Sequence, residues 1–232
     1  MVYEDELDMG QSFHSVVQES RMKAEKVMRR AMAELPIVVV RPTMLVGESI
    51  TGEVERLDGP YQLVMLVLGL PDDLVVPLPS FGGSPVDIVP VDYVARAAHA
   101  IGLSSKAIGQ TFHLASQEGL STRQLFALIA EAGGRRLTAR NILPAQIASA
   151  LMSTPGLNRY IQEPRAFVQQ ICTPARYDNR NTRRILADTD IRCPPVAKYV
   201  GTWVTVVNEH LRQRRERQQP FVIEAGDLEQ LG

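Results

Sequence analysis

The chain has 232 residues, 45% of them hydrophobic and 22% charged, which is enough apolar material for one large domain or two small ones. Its formal net charge of −1 gives no electrostatic basis for a nucleic-acid or membrane partner, so neither is expected. Two cysteines, Cys172 and Cys193, lie far apart without metal-ligand spacing, which predicts reduced thiols in a cytoplasmic protein. The acidic start, Met1 to Glu6, does not suit an export signal, and the longest apolar run, Leu63 to Leu70, is much shorter than the ~18 residues of a membrane span.

The first ten residues read as polar and irregular. A helix is expected from about Ser15 to Leu35, with Val17, Ala24, Met28, Ala31 and Leu35 on one apolar stripe and Pro36 as its stop. Ile37 to Arg41 is a continuous β-branched run of the kind buried in a parallel sheet, ended by Pro42 and followed by a loop through Gly47 and Gly52. A second helix is predicted over Tyr61 to Leu70, then an irregular connection over Val75 to Pro85. Val86 to Pro90 reads as a short strand, Val91 to Leu103 as a helix and Thr111 to Ala115 as another strand. Ser121 is placed to cap a helix running to Ala132, with Gly133-Gly134 ending it.

Beyond that point a strand over Arg136 to Arg140 and a helix over Pro144 to Met152 are expected. The prolines between 153 and 195 leave room only for short helices. A last helix covers about Ala197 to Arg217 and ends in a basic run broken by Glu216, which reads as a solvated helix end. Alternating helices and strands followed by helices argue for an α/β fold with a mostly helical C-terminal subdomain. The boundary is drawn at about 140/141, residues 1–140 forming the α/β part and 141–232 the helical part.

Four segments, in order, carry a family resemblance. Glu19-Ser20-Arg21-Met22-Lys23-Ala24-Glu25 resembles the active-site helix of extended short-chain dehydrogenases, Tyr-x-x-Ser-Lys-x-x-Ala-Glu. Val38 to Gly47 is similar to that family's strand followed by Arg-Pro and a glycine. Thr51-Gly52 with Gly59-Pro60-Tyr61 is similar to its thioester-reductase and fatty-acyl-reductase branch, and Val89 to Ala95 to its Val-Pro-Val-Asp segment. Tyr177-Asp178-Asn179 and Cys193-Pro194-Pro195 fit the same branch. The resemblance implies part of a Rossmann-type parallel sheet and an NAD or NADP cofactor. It points to Arg21, Pro42, Thr43 and Met44 as cofactor-facing, and to His14, Arg56 and Tyr61 as substrate-side residues.

Two features of the family's chemistry are missing from the motifs. No glycines fall in the GxxGxxG spacing that brings bare backbone to a pyrophosphate at a helix N-terminus. Aligning Ser20, Ala24 and Glu25 puts Val17 at the tyrosine position and Arg21 at the lysine position. The family's mechanism needs a phenol at i and an ammonium at i+4 on one helix face. Valine has no proton to give, so no intact catalytic set is expected at Val17, Ser20 and Arg21, and this chain alone is expected to bind NAD or NADP weakly or not at all. Val17 is expected to be a packed apolar residue.

The remaining candidates read as structural. Glu19 and Lys23 form an exposed i, i+4 pair, His113 a satisfied half-buried histidine, Arg41 an ion-pair partner at a strand end and Asp92 a helix cap. Met152, Leu157, Tyr160 and Phe167 read as the small subdomain's core, and no cluster has metal spacing. Two functions stay open: the substrate-side portion of a reductase- or epimerase-like enzyme, and a non-catalytic binding or scaffold protein. A half sheet exposes an edge, which predicts a homo-oligomer or a second chain supplying further strands.

Overall fold

The structure is a computed structural model that describes residues 1–13, 15–69, 85–116, 118–135 and 175–218. The strand predicted over 136–140, the helix over 144–152, Cys172 and His14 lie outside those residues. So do Met152, Leu157, Tyr160 and Phe167. The fold begins with helix α1 (Val16–Ala31), started by Ser15, whose hydroxyl accepts from the Gln18 amide. It ends earlier than the apolar pattern suggested, because the amides of Glu34 and Leu35 both turn back to the Ala31 carbonyl.

Two short strands follow almost without a break, β1 (Val39–Pro42) and β2 (Met44–Val46). Pro42 does end β1, but the loop expected after it is a second strand. A proline that closes one pairing costs no ladder bond, and only Thr43 separates the two strands. β1 pairs in parallel with β4 (Thr111–Leu114), whereas β2 pairs in parallel with β3 (Ile88–Pro90). The change of partner falls at Thr43: its amide donates to the Leu114 carbonyl, and the next amide, of Met44, donates to the Asp87 carbonyl.

Helix α2 (Pro60–Gly69) precedes β3, and α3 (Val91–Gly102) follows it directly. A single 3₁₀ turn at Ser105–Ala107 leads into β4. Helix α4 (Thr122–Ala132) is capped by Ser121 as expected, and Gln124, bonding back to the Ser121 amide, completes a capping box that the sequence reading did not name. Helices α5 (Arg180–Ile185) and α6 (Val196–Gln218) complete the described elements. The chain therefore adopts the α/β fold with parallel strands that the sequence predicts.

Two apolar clusters hold these elements. In one, Tyr93, Ala97 and Ile101 of α3 pack with Val89, Phe112 and Leu114 of the strands and with Leu186. The other is mainly helical, joining α2 and α4 from before residue 140 to α6 from after it around Trp203, Tyr61, Tyr199, Leu125 and Ile129, with Val46 and Ile88 of the strands packed into it. Trp203 is fully buried, its ring 5.3 Å from that of Tyr199 and 6.1 Å from that of Tyr61. Gly52 lies against this helix with a φ of +74°, and a Cβ there would come within 2.5 Å of the Thr202 methyl, so no side chain fits.

Helix α1 departs from expectation. None of its residues is buried, and the stripe expected to pack inward is exposed, Val17 to 56% and Met28 to 46%. The helix docks instead by its charged edge. Arg29 donates to the carbonyls of Asp5 (2.6 Å) and Glu4 (3.2 Å) and to the Thr111 hydroxyl (3.1 Å), while Glu25 takes hold of Arg41 on β1. Periodicity shows which residues share a face but not which face is covered.

Trp203→Ala removes the largest side chain of the helical cluster and is expected to destabilise the fold by about 3–5 kcal/mol. Urea unfolding followed by circular dichroism checks this, since the variant lacks the chain's one tryptophan.

Candidate functional site

The partner change at Thr43 opens a cavity of about 750 Å³. Pro42, Thr43 and Met44 line it, together with Arg21 of α1, Asp87 and Tyr177. In parallel α/β sheets ligand crevices form where the carboxyl ends of strands diverge, and the end of β1 supplies that geometry here. The four residues to which the family resemblance assigned cofactor contacts thus come together on one cavity.

The charged residues around it are arranged in a connected set. Glu25 accepts two bonds from Arg41, at 2.6 Å to Oε1 and 2.9 Å to Oε2, and a third from Arg29 at 2.9 Å. Burial alone would raise its carboxyl, but the fork from Arg41 and the bond from Arg29 outweigh it and hold Glu25 below the usual glutamate range. Arg41 also donates to the Glu6 carbonyl at 2.8 Å and sits 3.1 Å from His113 Nε2. Because His113 Nδ1 lies 2.7 Å from the Asp178 carbonyl, which can only accept, the network assigns the proton to Nδ1 and leaves Nε2 to accept from Arg41. Burial first, and the Arg41 charge beside it, push His113 below the ordinary histidine value.

Behind this lies a buried carboxylate from the segment read as irregular. Glu4, 3% exposed, accepts from the His113 amide at 3.0 Å and from the Asn181 amide at 2.7 Å, joining β4 to the start of α5. The polar composition of residues 1–10 concealed it, and nothing in the local pattern marks a glutamate that will be buried.

Asp87 is the other site residue that sequence reading passed over. Its Oδ1 accepts from the Ser116 amide at 2.7 Å and the Thr43 hydroxyl at 2.9 Å. Burial dominates these two bonds and raises its carboxyl above the usual aspartate value. A carboxylate inside the apolar run Val86-Asp87-Ile88 was the available signal.

The other predicted residues lie elsewhere. Val17 is exposed and does not line the cavity, and neither does Ser20, whose hydroxyl donates to the Val17 carbonyl at 3.0 Å. Arg56 pairs with Asp58 at 3.3 Å on an open surface. Tyr61 is 1% exposed within the helical cluster, where its hydroxyl accepts from the Gly47 amide at 2.8 Å, so it faces core rather than cavity. Asp92 is not the cap expected: Pro90 holds that position, and Asp92 instead accepts from the amide and hydroxyl of Ser49, at 3.0 and 2.7 Å. Arg41 is the ion-pair partner foreseen, His113 is buried rather than half-buried, and Glu19 with Lys23 forms the exposed pair. No metal-binding cluster occurs among the described residues. No described helix is long and apolar enough to cross a membrane.

A dinucleotide fits this site only in part. Arg21 can fork onto ribose hydroxyls or phosphate, and Thr43 and Met44 offer a hydroxyl and a flat apolar wall. The pyrophosphate, however, needs bare backbone, and no glycine lines the cavity among the described residues.

Comparison with known proteins agrees with this frame. Residues 1–98 match the NAD-binding family model described as male sterility protein. No curated protein matches the chain. Among solved structures it is similar to the terminal R domain of the myxalamid PKS-NRPS biosynthetic pathway, with 25% identity and a TM-score of 0.74, covering 91% of this chain and 54% of that one. It is similar in fold to the aureusimine biosynthetic cluster reductase domain, with 18% identity, a TM-score of 0.67 and coverage of 90% and 55%. The same holds for a dTDP-glucose 4,6-dehydratase from Bacillus anthracis solved in complex with NAD, with 11% identity, a TM-score of 0.58 and coverage of 89% and 56%. The chain spans about half the length of these structures. The match and the shared fold support an extended short-chain dehydrogenase/reductase of the reductase-like kind.

The network makes the fold acid-sensitive. His113, lowered in the folded state, opposes folding as the pH falls through the ordinary histidine range, because the unfolded chain then binds a proton the folded one refuses. Glu25, also lowered, contributes fully above the usual glutamate range and loses that contribution as the pH falls below it. Urea unfolding at stepped pH is therefore expected to show stability declining in two stages. Arg41→Gln should cost about 1.5–3 kcal/mol at neutral pH and flatten the second stage.

Proposed function

We propose that this chain is the substrate-side portion of an NAD(P)-dependent, reductase-like short-chain dehydrogenase, with the cavity at Thr43 as its ligand cleft. The observation that carries this reading is the convergence of Arg21, Pro42, Thr43 and Met44 on that one cavity. In it, Arg21 meets the ribose or phosphate of the cofactor, and Thr43 and Met44 face the nicotinamide. Val17 stands where the family's phenol would be, so the proton donor on α1 is absent. Loss of a general acid typically lowers rate by ~10²–10⁴, so turnover by this chain alone is slow or nil.

A second reading, a non-catalytic binding or scaffold protein, draws support from α1. Its exposed Val17, Val27 and Met28 offer an apolar face that a second copy or another chain could cover. In that case the chain is an oligomer or half of a complex, and the cleft is a vestige of an enzyme.

Calorimetry with NADPH and NADH on the intact chain separates the two. Binding of either that weakens at least tenfold in Arg21→Ala and in Thr43→Ala supports the cleft, and no heat with either nucleotide favours the scaffold. Val17→Tyr combined with Arg21→Lys is expected to raise reduction of an acyl thioester above the parent chain, and an unchanged rate would count against a reductase site.

A further inference from the structure

Among its described residues the cavity is lined by two hydroxyls, those of Thr43 and Tyr177, and by one imidazole, that of His113. Two of these groups have spent their proton inside the protein. Thr43 gives its own to Asp87 Oδ1 at 2.9 Å, with the Leu114 carbonyl behind it at 3.4 Å. His113 turns Nδ1 to the Asp178 carbonyl at 2.7 Å, while its Nε2 faces Arg41. The Tyr177 hydroxyl, by contrast, has no hydrogen-bond partner among the described residues.

Tyr177 is nevertheless held in place. Val2 brackets its backbone, donating to the Arg176 carbonyl at 2.7 Å and accepting from the Asp178 amide at 2.9 Å. Its ring meets that of His113 nearly edge to face, with the centroids 5.6 Å apart. His113 is buried, so the ring leans on a fixed neighbour, yet Tyr177 keeps 38% of its exposure. Burial first and then the charge of Asp87 raise its phenol, which puts the hydroxyl within electrostatic reach of a second residue on the cavity. Even an ordinary phenol keeps its proton well above neutral pH, so the group is available as a donor.

A pinned backbone, a packed ring and an unspent hydroxyl suit a recognition group, because little ordering is left to do when a ligand arrives. Arg21 on the same cavity is a permanent cation and suits an anionic group. A phenol suits an uncharged acceptor. We propose that Tyr177 is the cavity's hydrogen-bond donor to an uncharged carbonyl ligand, a contact supplied from beyond residue 174 and one that α1, with valine at position 17, cannot make. This rests on the cavity being the ligand cleft, but it does not require a nucleotide.

The test measures binding of octanoyl-N-acetylcysteamine, an uncharged acyl thioester, to the full chain by ligand-observed NMR. Tyr177→Phe keeps the ring and its contact with His113 and removes only the hydroxyl. Its urea midpoint is expected to match the wild type, while its affinity for the thioester falls about fivefold. With tyrosine labelled at the carbon that bears the hydroxyl, the signal lost in Tyr177→Phe should shift when the thioester is added to the wild-type chain. Tyr177→Leu removes ring and hydroxyl together; should it fail to fold, the contrast between wild type and Tyr177→Phe decides alone. Equal affinity in wild type and Tyr177→Phe, an unmoved Tyr177 signal, or no thioester binding at all overturns the proposal. A loss seen in Tyr177→Leu but not in Tyr177→Phe also overturns it and leaves the ring a structural role. NADPH calorimetry is read separately. Thioester binding that needs the hydroxyl, without nucleotide binding, removes the cofactor reading and leaves Tyr177 standing. Nucleotide binding with thioester binding indifferent to the hydroxyl removes Tyr177 alone.

Discussion

The strand that runs from Val39 to Val46 cannot keep one neighbour along its length, and much of the cavity's geometry follows from this. Its first half is held by β4 and its second half by β3, with Thr43 as the joint. Consecutive amides, those of Thr43 and Met44, are satisfied by the ends of two different elements. A joint of this kind leaves a gap, since backbone groups that diverge no longer bond one another. The gap is lined by polar side chains that close it chemically without filling it. Asp87 does this most directly, because one oxygen receives both the Thr43 hydroxyl and the Ser116 amide beyond the end of β4. One carboxyl thus ties together the two parallel pairs and lines the cavity they leave.

On the other side of the gap, α1 is held by charge rather than by apolar packing. The Glu25–Arg41 fork is largely shielded from water, the two side chains keeping 15% and 20% of their exposure, so its bonds are worth more than those of the open Glu19–Lys23 pair. An arrangement of this kind fixes the helix in direction and register, since a two-point fork tolerates little sliding. It also leaves the apolar stripe of the helix facing outward. Position and covering are therefore supplied by different forces: the polar edge positions α1 over the sheet, and nothing among the described residues covers Val17 and Met28.

What could be read from sequence divides along the same line. Val39 to Arg41, the cap at Ser121 and the helices α3 and α6 were legible because each is local: the residues that decide the structure are neighbours in the chain. β2 was not, since three residues after a proline carry no period, and its existence depends on a partner more than 40 positions away. Arg21, Pro42, Thr43 and Met44 could be placed by their motif, whereas Asp87, Glu4 and Tyr177 join the site and its supporting network through distant contacts. The inward face of α1 was misjudged for the same reason. A hydrophobic stripe predicts burial only if another element arrives to cover it, and the ion pair and hydrogen bonds that set the face join residues 16 to 82 positions apart.

The cavity's electrostatic character then follows from unequal burial of like groups. Glu25 and Asp87 are both carboxylates on its wall, yet two guanidinium partners hold the first below its usual range, and burial without a cation raises the second. Opposite assignments for two such groups in one cleft are the pattern by which sites separate a charge-holding residue from a proton-holding one. Here the charge-holding residue is tied to Arg41 and serves to position a helix. Asp87 stands just before β3, where its Oδ1 receives the Thr43 hydroxyl, and Arg21 lines the same cavity. The surroundings therefore set the two apart: Glu25 is held in its charged form by its guanidinium partners, and Asp87 keeps its proton to a higher pH than an open aspartate.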